Sequence, residues 1–183
     1  MANIKIAVIV GSLRKNSFNR QLADGLIKLA PAEFTFTKTD IGDLPLYNQD
    51  DDEAPCEAVR LLKRTIGESQ GLLFVTPEYN RSMPGVLKNA LDHASRPYGQ
   101  SAWAGKPAGV IGASIGAIGT ALAQQHLRNV LAYLDVATMG QPEAFVQAKP
   151  DLFESSGDIG PASKAFLQSW MGHFGDWITA HQR

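Results

Sequence analysis

The chain has 183 residues, enough for one domain with a real core, and 44% of them are hydrophobic. Charged residues make up 19% and aromatic residues 8%, a balance that excludes disorder and a coiled coil. The formal net charge is −1 and basic runs stay short, as at Arg14-Lys15, so no nucleic-acid partner is expected.

The first element is IKIAVIV at 4–10, β-branched and almost wholly apolar, as in a strand buried on both faces of a parallel sheet. It lacks the basic flank and cleavage site of a secretion signal and is too short to cross a bilayer, so no membrane association is expected. Helical spacing of Phe18, Leu22, Leu26 and Leu29 predicts a helix over 17–30, with Asn16 or Ser17 as cap and Pro31 closing it. EFTFTKTD at 33–40 alternates like a strand near a sheet edge. A long connection, 41–55, carries Asp50-Asp51-Asp52-Glu53 and reads as a solvated acidic loop before a helix over 56–68. Its single cysteine, Cys56, has no histidine near it in sequence and reads as a bland thiol. One cysteine in the whole chain excludes an internal disulfide framework and fits a reducing cytoplasm.

GLLFVT at 71–76 is a third buried strand, followed by a helix over 83–94 and a loop over 95–106. PAGVIGAS at 107–114 is a fourth strand, a helix follows over 117–133, and VATMG at 136–140 is a weaker fifth. The segment 141–160 looks irregular. The last helix, 161–180, carries Phe166, Leu167, Trp170, Met171, Phe174, Trp177 and Ile178 as a core stripe. Strand and helix alternate throughout, which implies an α/β fold: one domain with a doubly wound, five-stranded parallel sheet and helices on both faces.

Ligands of such sheets bind beyond the carboxyl ends of the strands. Three loops of unusual composition leave those ends: GSLRKNSFN at 11–19, TPEYNRSMPG at 76–85 and GASIGAIGT at 112–120. In the first, Ser12, Arg14, Ser17 and Asn19 surround a helix N-terminus, a setting suited to a phosphate monoester and equally readable as a capped turn. Neither GxxxxGK[ST] nor GxGxxG is present, which excludes a P-loop and a dinucleotide fingerprint. In the second, Pro77 stiffens the corner and Pro84 suits the first turn of the next helix. Tyr79 offers a flat wall, Asn80 and the N–H groups of 78–80 offer in-plane hydrogen bonds, and Arg81 and Ser82 stand at the rim. Two roles are open to Glu78: general acid or base, or acceptor of backbone N–H groups that holds the loop. In the third, Ser114, Gly116 and Gly119 leave N–H groups open toward the electron-rich edge of a ring, or serve close helix–strand packing. A phosphate plus a flat polar ring describes FMN.

GSLRKNSFN, TPEYNRSMPGVLKNALD and GASIGAIGT with AQQHLR resemble the NADPH-dependent FMN reductase family, in family order and over nearly the whole chain. They most resemble its quinone and chromate reductase branch. The resemblance implies a flavodoxin-like fold and bound FMN, in a homodimer or homotetramer with flavins near subunit interfaces. It also implies phosphate contacts at Ser12, Arg14, Ser17 and Asn19, a ring loop at Pro77, Glu78, Tyr79 and Asn80 extending to Ser82, and a pyrimidine-end contact at Ser114. Gln125 stands where some relatives have an aromatic residue.

The expected chemistry belongs to the flavin: NADPH or NADH gives a hydride to N5, and a small-molecule acceptor then takes two electrons in the same pocket, in ping-pong order. Quinones, chromate, azo and nitro compounds are candidate acceptors. No side chain is needed as nucleophile, and no metal is expected, since His93, His126, His173 and His181 lack ligand spacing. His93 and His126 fall inside helices and read as structural. Arg96 can attract an anionic substrate, or be a surface arginine. Three alternatives remain: a reductase that releases reduced flavin to a partner monooxygenase, a flavodoxin-type electron carrier, and a redox-responsive interaction protein. A net charge of −1 speaks against the carrier, whose partners are steered by strong acidity.

Overall fold

A computed structural model describes residues 3–182. In chain order the strands are β1 (Ile4–Val10), β2 (Phe34–Thr39), β3 (Gly71–Val75), β4 (Pro107–Ser114), β5 (Ala137–Thr138) and β6 (Phe145–Gln147). The helices are α1 (Phe18–Leu29), α2 (Glu57–Glu68), α3 (Gly85–Ala94), α4 (Ala121–Tyr133) and α5 (Pro161–Ala180). All strand pairs are parallel, in the order β2-β1-β3-β4-β5, with β6 pairing further along β4.

Alternation along each central strand feeds two cores. Ile6 and Val8 of β1 pack with Leu22 and Leu26 of α1 and with Trp170, Phe174 and Ile178 of α5. Ala7 and Ile9 face the other way, onto Val59, Leu62 and Ile66 of α2, Leu87 and Leu91 of α3, and Leu127 and Leu131 of α4. With both faces covered, all five residues of β3 are buried, which is why that strand reads as an unbroken apolar run. Burying each Leu or Ile contributes about 1.5–3 kcal/mol. In α5, Trp170 and Phe174 stack with rings 5.8 Å apart, while Phe166 of the expected stripe lies outside the core and is half exposed.

The sheet departs from expectation at one edge. The fifth strand is only Ala137–Thr138, and the segment read as irregular holds β6, whose Phe145 pairs with Gly112. Three residues between Pro142 and Lys149-Pro150 are too short to announce a strand; pairing with β4 makes them one. At the other edge β2 leaves four of its side chains partly exposed beyond Phe34 and Phe36, consistent with its alternating sequence.

Two helix starts also move. α4 begins at Ala121 rather than near 117, because Gly119 takes a left-handed φ of +61° that no helix continues through. A Cβ on Gly119 would lie 2.7 Å from the Phe145 carbonyl carbon, so only glycine fits. α3 begins at Gly85, with Pro84 as its extended cap residue rather than inside the first turn.

Candidate functional site

The order β2-β1-β3 reverses the winding direction at β1, so the loops after β1, β3 and β4 leave neighbouring strand ends. Backbone bonds draw them together. Gly11 N–H donates to the Val75 carbonyl at 2.9 Å, and Thr76 N–H to the Ile111 carbonyl at 3.0 Å. A Cβ on Gly112 would lie 2.0 Å from the Thr76 carbonyl oxygen.

In the first loop, Ser17 caps α1, its Oγ accepting from the N–H groups of Asn19 and Arg20 at 3.2 and 3.3 Å. Such a cap is worth about 1 kcal/mol. Ser12 is buried with a hydroxyl that makes no hydrogen bond among the described residues, and Arg14 is exposed with no ion pair among them. The N–H groups of 12–17 have no acceptor among the described residues either. Asn19 plays a different part from the phosphate contact expected of it. Its Nδ2 donates to the Ala113 carbonyl at 2.9 Å and its Oδ1 accepts from the Ala113 N–H at 2.8 Å. The buried carboxamide is thus spent on pinning α1 to β4.

The second loop is held by itself and by α4. Tyr79 and Ser82 exchange two backbone bonds of 3.0 Å around Asn80 and Arg81, whose φ values are +51° and +65°. Both central residues are left-handed, as in a type I′ turn, which suits Asn better than Arg. The Tyr79 N–H, expected to face a ligand, is therefore consumed within the turn; those of Glu78 and Asn80 have no acceptor among the described residues. Pro77 is buried and half of Tyr79 is exposed.

Glu78 takes the second of its two open roles. Oε2 accepts from the N–H groups of Leu122 and Ala123 at 3.0 and 3.1 Å, and Oε1 meets Arg81 Nη1 at 3.1 Å. The carboxylate side chain is 7% exposed, so it is a buried N-terminal cap for α4, where Thr120 makes no side-chain cap of its own. The partners lie in α4 rather than in its own loop, a link between distant segments that local spacing could not reveal.

The third loop is closed by Ser114 Oγ donating to the Gly119 carbonyl at 2.5 Å and by Gln147 Nε2 donating to the Ile115 carbonyl at 3.2 Å. N–H groups of 115–118 have no acceptor among the described residues. Gly112 and Gly119 serve close packing, but a Cβ on Gly116 would meet nothing nearer than Ser114 Oγ at 3.7 Å. Leu13, Tyr79, Ile115 and Ile118 form an exposed apolar rim.

Sequence reasoning missed His126. It is exposed on α4, and its Nδ1 lies 3.0 Å from Ser82 Oγ, tying the tip of the second loop to the helix. Its position one helical turn beyond Leu122 is the signal that could have found it. Arg96 is not brought to this site; it lines a separate cavity with the 41–56 connection, α2 and α3.

Among the described residues, the Ser12 hydroxyl without a bond, Arg14 without an ion pair, the open N–H groups of 12–17 and 115–118, and those of Glu78 and Asn80 fit a ligand with a phosphate and a flat, acceptor-rich ring. The fold is flavodoxin-like, an α/β class that carries such sites at this edge. The profile of the NADPH-dependent FMN reductase family matches residues 4–151, and the chain belongs to that family. A 2-hydroxy-1,4-benzoquinone reductase of Burkholderia sp is 54% identical over 176 residues, 96% of each chain. A quinone reductase of Pseudomonas putida is 49% identical over 178 residues, 97% of this chain and 96% of its own. Among solved structures, the flavoenzyme FerB, an NAD(P)H:(acceptor) oxidoreductase from Paracoccus denitrificans, superposes with a TM-score of 0.94 at 46% identity, covering 98% of this chain and all of its own. The protein is an oxidoreductase that uses FMN with NAD(P)H.

Proposed function

We propose that the protein is an FMN-dependent NAD(P)H:quinone reductase acting by turns on nucleotide and acceptor. The carrying observation is the complementarity between the three loops. One offers hydroxyls, an arginine and open N–H groups for a phosphate; the other two offer a stiffened frame and open N–H groups for a ring. The names of the relatives support the quinone as acceptor.

Ser12, Arg14, Ser17 and the N–H groups of 12–17 hold the phosphate, and Asn19 positions the loop that carries them. Glu78 and Asn80 N–H groups with the Tyr79 ring border the isoalloxazine, Glu78 holding loop and helix in register. Ser114 shapes the third loop, and the N–H groups around Gly116 face the ring edge where negative charge gathers. FMN, when bound, supplies two-electron chemistry between NADPH or NADH and the acceptor. Chromate, azo and nitro compounds are further acceptors for such a site. The rim of Leu13, Tyr79, Ile115 and Ile118 supports a homodimer or homotetramer that covers it. The single thiol supports a cytoplasmic setting; among the described residues no helix is long and apolar enough to cross a membrane.

The test is a visible spectrum of the purified protein during anaerobic addition of NADPH or NADH, then of a quinone. A bound-flavin spectrum that bleaches and then recovers is expected. A colourless protein that oxidises NAD(P)H only with added FMN would replace this reading with flavin release. A yellow protein that neither nucleotide reduces would replace it with an electron carrier or interaction protein.

A further inference from the structure

We propose that the cavity between the 41–56 connection, α2 and α3 is a second quinone site, and that Cys56 in its wall is arylated by the bound ring. The proposal rests on the quinone reading above. The cavity measures about 190 Å³ and its lining includes none of the three loops after β1, β3 and β4. It admits one quinone ring rather than a dinucleotide.

Its walls suit a flat neutral acceptor. Pro45, Pro55, Val59 and Pro97 present apolar surfaces. Lys63 and Arg96 bring donors, and Asp51 and Asp52 offset their charge, so an anion gains little while carbonyl oxygens match the spare N–H groups. Lys63 donates to the Arg96 backbone carbonyl and keeps further protons to give. Arg96 makes one long side-chain bond, Nη1 to Ser95 Oγ at 3.4 Å. Burial pulls the Lys63 ammonium below the ordinary lysine value, against a partial lift from Asp52, and makes it a readier proton donor.

His93 gives the cavity a base. The residue is 7% exposed, and Nε2 lies 2.8 Å from the Pro45 carbonyl, which can only accept. The tautomer that donates to this carbonyl from Nε2 leaves Nδ1 bare. Tyr47 stands edge-on to the imidazole, with ring centres 5.4 Å apart, and fixes its plane. Nδ1 has no partner among the described residues. Cys56 is exposed, lines the same cavity and makes no side-chain bond to the start of α2. Cys56 has no histidine near it in sequence, but α3 brings His93 into the lining of the same cavity.

The step is a conjugate addition. The thiol proton passes to His93 Nδ1, and sulfur forms a bond to a ring carbon conjugated to a carbonyl. The ring π electrons move onto that carbonyl oxygen, which takes a proton from Lys63. Loss of the proton on the substituted carbon and protonation of the second oxygen give an aromatic hydroquinone thioether. The sulfur lone pair forms the new bond and sulfur stays at the sulfide level; within the ring, oxidation of the substituted carbon balances reduction of the two carbonyls, and no other reagent is consumed.

The experiment uses the FMN-loaded protein with 1,4-benzoquinone and no nucleotide, read by intact mass. One adduct is expected, formed about tenfold faster than on glutathione, as a single charge-assisted hydrogen bond to the carbonyl would produce. Cys56→Ser should abolish it, and either Lys63→Met or the cavity-filling Val59→Phe should bring the rate down to that of glutathione. Addition at the glutathione rate, or a fast rate untouched by both Lys63→Met and Val59→Phe, overturns the site. NAD(P)H-driven quinone reduction, measured separately, should be unchanged in Cys56→Ser. Fast arylation in a protein that reduces no quinone would sink the reductase reading and leave this site standing.

Discussion

The first and second strand-end loops sit side by side yet treat their backbones in opposite ways. The second spends part of its backbone on itself: a two-residue turn consumes the Tyr79 and Ser82 N–H groups and Glu78 anchors it to α4, while the Glu78 and Asn80 N–H groups have no acceptor among the described residues. The first leaves the N–H groups of 12–17 without acceptors among the described residues, beside the Ser12 hydroxyl, which bonds to nothing there although the residue as a whole is 3% exposed. Polar groups near a protein interior are rarely left unpaired without a partner to come. The anchored loop is frame and the open one is cradle. Disturbing the frame should therefore cost folding, whereas disturbing the cradle should cost FMN.

Gly112→Ala is the severest way to break that division. Its Cβ would stand 2.0 Å from the Thr76 carbonyl oxygen, a backbone atom at the root of the second loop, and 2.5 Å from Thr120 Oγ1. Neither can retreat without moving a strand end. Denaturant unfolding should show a loss of about 3 kcal/mol; a loss below ~0.5 kcal/mol would mean that the loops are not locked together as described.

Arg14→Ala tests the cradle. FMN retention should weaken by about 1.5–3 kcal/mol, the worth of a charged hydrogen bond, while the FMN-free protein keeps its stability, because Arg14 is exposed and makes no hydrogen bond or ion pair among the described residues. Equilibrium dialysis gives the first quantity and unfolding the second. Unchanged retention would remove Arg14 from the phosphate site.

Glu78→Gln sharpens the same comparison from the frame side. The amide keeps an acceptor for Leu122 and Ala123 but loses the charge that favours a helix start and pairs with Arg81. A stability loss of about 1 kcal/mol is expected, the difference between charged and neutral acceptors. Turnover should persist. Near-total loss of turnover with FMN still bound would restore Glu78 as an acid or base.

The frame was harder to read in the sequence than the cradle. Strands β1, β3 and β4 and helix α5 are legible because burial on both faces, or a continuous apolar stripe, writes itself into runs of residues. Loop composition likewise marks the strand ends. What composition cannot express is which distant group a side chain meets. Asn19 looks like one more phosphate donor until its carboxamide is found closed on Ala113, 94 residues away. Glu78 leaves two roles open until α4 occupies it, and His126 reads as structural with no hint that Ser82 is its partner. Each case concerns a polar side chain whose partner is set by sheet order rather than by chain neighbours. The strand β6 was missed for the same reason, since its pairing with β4 is its main support.

Gly116→Ala makes the finest distinction. GxxxGxxG at 112–119 invites one explanation for all three glycines, close packing of helix on strand. The surroundings separate them. Gly112 and Gly119 face backbone atoms at 2.0 and 2.7 Å, and Gly119 is left-handed besides. Gly116 faces only Ser114 Oγ at 3.7 Å, an ordinary contact, and lies among N–H groups with no acceptor among the described residues. An alanine there should change stability by less than ~0.5 kcal/mol, as exposed substitutions do. If open backbone beside the ring is its purpose, the new methyl should instead show in the bound flavin: a shifted visible band and weaker retention, with the unfolding midpoint unmoved. A lower midpoint with an unaltered flavin spectrum would make Gly116 a packing glycine like its two neighbours and take the third loop out of the ring site.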